Sequence, residues 1–165
     1  MKKALVAGAL GVTGRTLVNH LVSLGDWEVI GLSRRSPEFQ TGAKHISVDL
    51  SNRSTIESRL SGIGDVTHIF YAALYWGKNV FDEVGPNLAM LTNLVETVER
   101  TSNQFRKVVL LEGAKYYGAQ LAERQWRRFA LFPVLIPSPA VREDELAERQ
   151  WRSHDADLVV LVSAI

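Results

Sequence analysis

Three glycines near the amino terminus, Gly8, Gly11 and Gly14, stand at the spacing Gly-x-x-Gly-x-x-Gly between an apolar segment and an amphipathic one. Glycine lets the backbone approach a ligand closely, and a helix that begins here points its free amide groups at a phosphate. After a strand and before a helix, this spacing predicts a site for the pyrophosphate of a dinucleotide. The alternative is a turn that needs glycine only for its shape. The residues expected to bind the cofactor are Gly8, Leu10, Gly11, Val12, Thr13 and Gly14.

Two arginines, Arg34 and Arg35, follow Ser33 at the end of the second apolar segment. In dinucleotide-binding folds this position, about 20 residues after the glycines, contacts the ribose 2′ position. An acidic residue there favours NAD, whereas a guanidinium is a planar fork that suits a phosphate dianion. We therefore expect NADP(H) in preference to NAD(H). The alternative is a pair of solvated surface arginines.

Other polar residues follow the third and fifth apolar segments, where ligands of open α/β sheets bind. Lys115 follows the fifth segment. It could orient a nicotinamide ribose or act with a tyrosine on a carbonyl oxygen, and the alternative is a surface lysine. Asp49 and Leu50 end the third segment and could flank an adenine, although Asp49 alone fits a turn or helix cap equally well. Asn87 stands near a predicted helix start, where capping is the simpler role.

The order of elements predicts an α/β fold. Apolar strands alternate with segments of helical periodicity, which indicates a doubly wound, Rossmann-type parallel sheet in the order 3-2-1-4-5, with helices on both faces and a sixth strand. We expect Pro86 in the first turn of the third helix and Leu88 in its apolar stripe. The predicted strands are 4–7, 28–32, 45–48, 68–73, 107–111 and 157–162, and the predicted helices are 12–24, 54–60 and 86–100.

Length and composition restrict the function further. The chain has 165 residues, a net charge of +1 and no cysteine, so we expect one domain over residues 1–165. The near-neutral charge argues against nucleic acid, and no stretch approaches the ~20 apolar residues that span a membrane. The absence of cysteine excludes disulfides and thiolate catalysis and fits a cytoplasmic location. The four histidines lack metal-ligand spacing, so we expect no metal site.

Residues 3–119 resemble the extended or atypical short-chain dehydrogenase/reductases, and within them the progesterone 5β-reductase and iridoid synthase-like group. The resemblance implies NADPH as cofactor and hydride transfer to an enone or related carbonyl of a small molecule. It places Asp49 and Leu50 at the adenine, Ala72 and Ala73 beside the nicotinamide-side ribose, and Lys115 as the catalytic lysine; Asn87 lies within a matching motif. The matching segments are 8–14, 27–35, 45–50, 67–73, 87–93 and 113–118.

The chain departs from this family in its last third, residues 120–165. The family's catalytic tyrosine opens a downstream Tyr-x-x-Glu-Asp-like element, whose nearest counterpart here, residues 140–146, contains no tyrosine. The chain also stops after the sixth strand, so we expect a C-terminally shortened relative. Three alternatives follow: a reductase, a non-catalytic NADP(H)-binding module, or a fragment of a longer reductase. A homodimer is a further possibility in this superfamily.

Overall fold

The computed structural model describes residues 1–78, 80–112 and 157–162 of the chain. The strands of this part form one parallel sheet in the order β3-β2-β1-β4-β5-β6. This arrangement confirms the α/β class, the Rossmann-type order 3-2-1-4-5 and the sixth strand beside the fifth. The elements are β1 (Lys2–Ala7), α1 (Val12–Ser23), β2 (Trp27–Ser33), β3 (Lys44–Ser47), α2 (Arg53–Leu60), β4 (His68–Tyr71), α3 (Val80–Thr101), β5 (Lys107–Glu112) and β6 (Asp157–Val162).

The sheet is apolar on both faces, as β1 illustrates. Leu5 and Ala7 enter a larger core that includes buried side chains of α2 and α3, whereas Ala4 and Val6 enter a smaller core with α1. Successive residues of a strand point to opposite faces, so an apolar run without alternation needs cover on both sides. The prediction of helices on both faces is therefore confirmed.

The third helix begins earlier than the sequence predicts. α3 starts at Val80, and Pro86 lies inside it instead of in its first turn. Asp82 and Glu83 occupy the real first turn, where acidic side chains favour the helix dipole. Proline inside a helix removes one backbone hydrogen bond. Here Nδ2 of Asn87 donates to the Glu83 carbonyl at 2.8 Å, which adds a hydrogen bond in the same turn.

The apolar stripe of α3 is also shorter than predicted. Leu91, Leu94, Val95 and Val98 are buried in the larger core, as expected. Leu88 is 39% exposed, so the part of the stripe that packs in the core begins at Leu91.

The fourth strand ends two residues before its predicted end, at Tyr71. Ala72 and Ala73 leave the strand at the point where the Ala72 amide donates to the Ala7 carbonyl at 3.0 Å. Lys115, most of the divergent part 120–165 and the tyrosine-lacking element 140–146 lie outside the described residues. The single domain over residues 1–165 stays a prediction.

Candidate functional site

The glycine turn, residues 8–14, joins β1 to α1 at the carboxyl edge of the sheet. Gly8 has a φ of +78°, which glycine adopts without strain. The amides of Gly8 and Ala9 both donate to the Leu32 carbonyl of β2, at 3.0 and 3.1 Å. A Cβ on Gly8 would lie 2.7 Å from the carbonyl oxygen of Ala72 and 2.8 Å from the amide of Ala73. The turn is therefore held between the ends of β2 and β4.

The amino terminus of α1 is open. Gly11 is the N-cap and provides no side-chain hydrogen bond, and the first turn contains no acidic residue. Val12 and Thr13 are exposed, whereas Gly14 is buried against the Gly8 carbonyl, where a Cβ would collide. The first amides of a helix lack partners within it and carry partial positive charge. This terminus therefore fits a pyrophosphate, as the glycine spacing predicts.

The loop from Ser33 to Arg35 is fixed through its backbone. Oγ of Ser33 donates to the Arg35 carbonyl at 2.6 Å, and Oγ of Ser47 donates to the Arg34 carbonyl at 2.9 Å. Both arginine side chains are exposed. Because the backbone is anchored while the guanidinium groups face solvent, the loop presents two cations beside the glycine turn.

Asp49 is a turn residue in this structure. Its Oδ1 accepts from the amide of Ser51 at 2.9 Å and from the Ser51 hydroxyl at 2.8 Å. These two hydrogen bonds lower the pKa of the Asp49 carboxyl, with a smaller contribution from the charge of Arg34. Asn52 caps α2 by accepting from the Thr55 amide. The Asp49 carboxylate therefore has a structural role, and its predicted contact with adenine stays a prediction.

Leu50 lies beside Asp49 but points away from solvent. Its side chain is 7% exposed and belongs to the larger core. Its carbonyl accepts from Nδ2 of Asn93 at 3.1 Å, which ties the loop after β3 to α3. The predicted contact of Leu50 with an adenine stays a prediction.

Asn87 joins α3 to the segment that follows β4. Its Oδ1 accepts from the Tyr75 amide at 2.8 Å, and its Nδ2 donates to the Tyr75 carbonyl at 3.0 Å. The side-chain amide of Asn87 is thus engaged with the backbone of this segment, instead of capping a helix start. Ala72 and Ala73 are half-buried at the beginning of the segment. Whether these three residues contact a cofactor stays a prediction.

Sequence reasoning missed a contact between the sheet and the glycine turn. His45 of β3 packs its ring into space left open by Gly31 of β2, next to the Ala9 methyl. Burial lowers the pKa of the His45 imidazole. The available signal was a glycine within the apolar run of β2, because glycine inside a strand often marks a close approach.

Two further observations concern the described ranges alone. Among residues 1–78, 80–112 and 157–162, no three histidine, aspartate or glutamate side chains are grouped as a metal ion requires. No helix in the same ranges combines the length and the hydropathy needed to cross a membrane.

Most predicted site residues of the described part thus lie just after the carboxyl ends of β1, β2, β3 and β4, whereas Asn87 lies on α3 and the Leu50 side chain in the larger core. Residues 4–129 match the model of the NAD dependent epimerase/dehydratase family. The chain belongs to this family. The resemblance of the sequence to short-chain dehydrogenase/reductases is therefore confirmed. The residues matched by the family model include the glycine turn.

Curated relatives of the chain include a steroid reductase and an enol synthase. The "3-oxo-Delta(4,5)-steroid 5-beta-reductase" of Arabidopsis thaliana is 31% identical over 122 residues, which are 69% of this chain and 31% of that protein. The "(S)-8-oxocitronellyl enol synthase" of Antirrhinum majus is 29% identical over 127 residues, which are 73% of this chain and 32% of the relative. The chain thus spans about a third of the length of these relatives. The predicted resemblance to the progesterone 5β-reductase and iridoid synthase-like group is confirmed.

Solved structures support the same fold. A short-chain dehydrogenase/reductase superfamily protein from Agrobacterium tumefaciens with bound NAD superposes with a TM-score of 0.64 at 19% identity, covering 97% of this chain and 48% of that one. The UDP-glucuronic acid 4-epimerase of Bacillus cereus in complex with NAD gives a TM-score of 0.64 at 18% identity, covering 98% and 56% of the two chains. At these identities the likeness establishes the fold alone.

Proposed function

We propose that the chain binds NADP(H) at the carboxyl edge of its sheet and forms the cofactor-binding part of an NADPH-dependent reductase. The observation that carries the proposal is the glycine turn. Gly8 is docked between the ends of β2 and β4, and the amino terminus of α1 has no side-chain cap. Such a terminus stabilises phosphate charge through its free amides and its dipole.

The choice of NADP(H) over NAD(H) rests on Arg34 and Arg35. Their backbone is fixed by Ser33 and Ser47 while their guanidinium groups are exposed. A 2′-phosphate adds a dianion at this position, and two guanidinium groups compensate it. The two solved structures above contain NAD, so the preference rests on the arginine loop and on the resemblance to the progesterone 5β-reductase and iridoid synthase-like group.

The proposed reaction is reduction of an enone or related carbonyl of a small molecule. Bound NADPH would supply the hydride. Lys115 is the residue proposed to orient the nicotinamide ribose and the substrate oxygen, by resemblance to the family motif. The names of the steroid reductase and the enol synthase support this substrate class. Because the chain spans about a third of those relatives, the activity remains a proposal for the whole protein.

The second candidate function is a binding module that holds NADP(H) without turnover. It is favoured by the sequence of residues 140–146, which lacks the tyrosine of the family's downstream element. The reduction of a carbonyl needs a positioned donor for the developing oxyanion, and loss of such a donor costs about 10²- to 10³-fold in rate. Lys115 without that tyrosine would then act on the cofactor alone.

The cofactor is tested by fluorescence titration with NADPH and with NADH. We expect tighter binding of NADPH, and the double variant Arg34→Ala/Arg35→Ala should weaken it by about 10- to 100-fold, because a charge-assisted hydrogen bond contributes about 1.5–3 kcal/mol. NADH binding should be unchanged. Arg59→Ala, another exposed arginine at the end of α2, is the matched control. If wild-type protein binds neither dinucleotide, the proposed function is wrong.

The reaction is tested by NADPH oxidation with a panel of enones. We expect turnover that Lys115→Ala reduces by about 10²- to 10³-fold, as for removal of one oxyanion donor. Lys44→Ala, an exposed lysine at the start of β3, is the control. Tight NADPH binding without turnover above background would favour the binding module.

A further inference from the structure

His45 occupies an unusual position between the sheet and the glycine turn. Its Cα is the partner of the Gly31 Cα in the β2–β3 pair. A Cβ built on Gly31 would lie 2.6 Å from Cε1 of His45, 2.7 Å from its Nδ1 and 2.8 Å from the Ala9 Cβ. The imidazole ring and the Ala9 methyl therefore both occupy the space over Gly31 that any other residue would fill with its own side chain.

The ring makes no polar contact in the described part of the chain. Both ring nitrogens of His45 are buried, and neither has a hydrogen-bond partner among the described residues. A buried polar group without a partner costs free energy, and a charged one costs more. The buried ring therefore lowers the stability of the fold unless another contribution of the same residue offsets this cost.

The electrostatic surroundings favour the neutral ring. Charged groups on the neighbouring elements are Glu28 on β2, Lys44 on β3 and Arg15 and His20 on α1. None of them contributes to the pKa of His45, which burial alone lowers. The imidazole is thus uncharged near neutral pH and packs as an apolar ring.

Ala9 connects this ring to the turn. Its amide donates to the Leu32 carbonyl at 3.1 Å, directly after Gly31 along β2. Its methyl group is buried in the smaller core with Val18 and Leu21 of α1. The His45 ring and the Leu32 carbonyl therefore hold the same residue of the turn, one through packing and the other through a hydrogen bond.

We propose that His45 is a positioning residue for the dinucleotide: its ring, packed over Gly31 and against Ala9, fixes the position of the glycine turn over β2 in which the turn binds a pyrophosphate. This inference rests on the proposed function. It names a residue of the third strand, outside the glycine motif, as a determinant of affinity. The pyrophosphate is common to NADPH and NADH, so the effect should be equal for both.

The test compares dissociation constants for NADPH and NADH at a temperature where every variant is folded. His45→Ala empties the space beside Ala9, and we expect it to weaken both dinucleotides about tenfold, the change that corresponds to ~1.4 kcal/mol. His45→Leu restores an apolar side chain of similar volume, and we expect it to recover most of the affinity. His20→Ala, an exposed histidine of α1, is the control and should bind as wild type does.

A double-mutant cycle makes the test more direct. Gly31→Ala should weaken binding in the wild-type background, because its methyl group competes with the His45 ring. In the His45→Ala background the same substitution should cost several-fold less, since only the Ala9 contact remains. NMR titration of apo protein should show that burial lowers the pKa of the His45 imidazole below the usual value for histidine.

The outcomes separate the two proposals. If wild-type protein binds NADPH and His45→Ala binds it equally well, the role of His45 is wrong and the proposed function stands. If His45→Ala lowers the melting temperature without changing either dissociation constant, the ring is only structural and the inference is again overturned. If wild-type protein binds neither dinucleotide, both proposals fail.

Discussion

The two edges of the sheet differ in how their polar groups are satisfied. At the amino edge, Nζ of Lys3 contacts Oδ1 of Asp65 at 2.8 Å and Oε2 of Glu28 at 3.2 Å, and Lys2 contacts Asp26 at 2.8 Å. At the carboxyl edge, the start of α1 has no side-chain cap and the arginines after β2 are exposed. The charged side chains of the amino edge are used in internal ion pairs, whereas the two arginines of the carboxyl edge face solvent and the first amides of α1 have no side-chain partner.

The space around the glycine with positive φ also differs between the two edges. Gly8 at the carboxyl edge and Gly25 at the amino edge have almost the same positive φ, 78° and 73°. A Cβ on Gly8 would meet the backbone of Ala72 and Ala73, while a Cβ on Gly25 would meet nothing within 4 Å. Glycine is therefore required at one edge for conformation and space, and at the other for conformation alone.

The largest expected effect comes from Gly8→Ala. Strain at positive φ costs about 1–2 kcal/mol for alanine, and collision with the Ala72 backbone adds to it because backbone atoms do not move away cheaply. We expect a loss of about 3 kcal/mol or more in the free energy of unfolding and loss of dinucleotide binding. Chemical denaturation and NADPH titration measure the two effects.

Gly25→Ala is the matched control for that variant. It shares the positive φ but has open space around its Cβ, so we expect a loss of about 1–2 kcal/mol and unchanged binding. Equal stability losses for the two variants would contradict the contrast between the edges.

The second effect concerns a buried hydroxyl at the amino edge. Thr67 is 6% exposed, and its Oγ1 accepts from the Lys3 amide and donates to the Lys3 carbonyl, both at 2.9 Å. Thr67→Val leaves the Lys3 amide without this partner, so we expect a loss of about 2 kcal/mol in the free energy of unfolding. NADPH affinity should be unchanged. Thr16→Val, at an exposed threonine of α1, should cost less than about 0.5 kcal/mol.

The local sequence pattern is enough to predict the elements of the sheet and the glycine turn, which depend on residues close together in the chain. The apolar runs predicted the strand order, and the glycine spacing predicted the turn, because each signal lies within a few residues. The start of α3 was missed because Pro86 is typical of a first helical turn, while the Asn87 side chain that bonds inside the same helix gives no local signal.

Contacts between distant segments could not be read from the sequence. The pairing of Asn87 with the Tyr75 backbone and the packing of His45 over Gly31 join residues 12 and 14 positions apart. Their partners are chosen by the tertiary fold, and neither residue type has a strong preference for such a role. The exposure of Leu88 depends in the same way on how far α3 lies over the core.

We expect pH to have a smaller effect on the free energy of unfolding, because His45 and His68 are only partly buried. Burial lowers the pKa of His45 and of His68, and for His68 the charges of Lys107, Lys2 and Arg106 contribute as well. The unfolded chain, with histidine pKa values near 6.5, then binds more protons than the folded one below that pH. The contribution of the two histidines to stability is therefore present above about pH 6.5. It is lost as the pH falls towards their pKa values in the folded protein.

Substitution of each histidine separates its share of this pH dependence. Free energies of unfolding at about pH 5 and pH 7.5 should differ less in His45→Leu and in His68→Leu than in wild type. Only His45→Ala, at the residue that supports the glycine turn, should also change NADPH affinity. A pH dependence unaltered by both leucine variants would show that other groups cause it.

The smallest expected effect is at the ion pair between Lys3 and Asp65. Asp65 is the one non-glycine residue with positive φ in the described part of the chain, at 56°, and its side chain is 56% exposed. Asparagine tolerates this conformation as aspartate does, so Asp65→Asn removes the charge without adding backbone strain. The Asp65 hydrogen bond is the main cause of the raised pKa of Lys3, but Glu28 remains as a second partner. We therefore expect a loss of only about 0.2–1 kcal/mol, reduced by salt, and no change in NADPH binding. A change in affinity would mean that the amino edge is coupled to the glycine turn through β1, and the functional separation of the two edges would then be wrong.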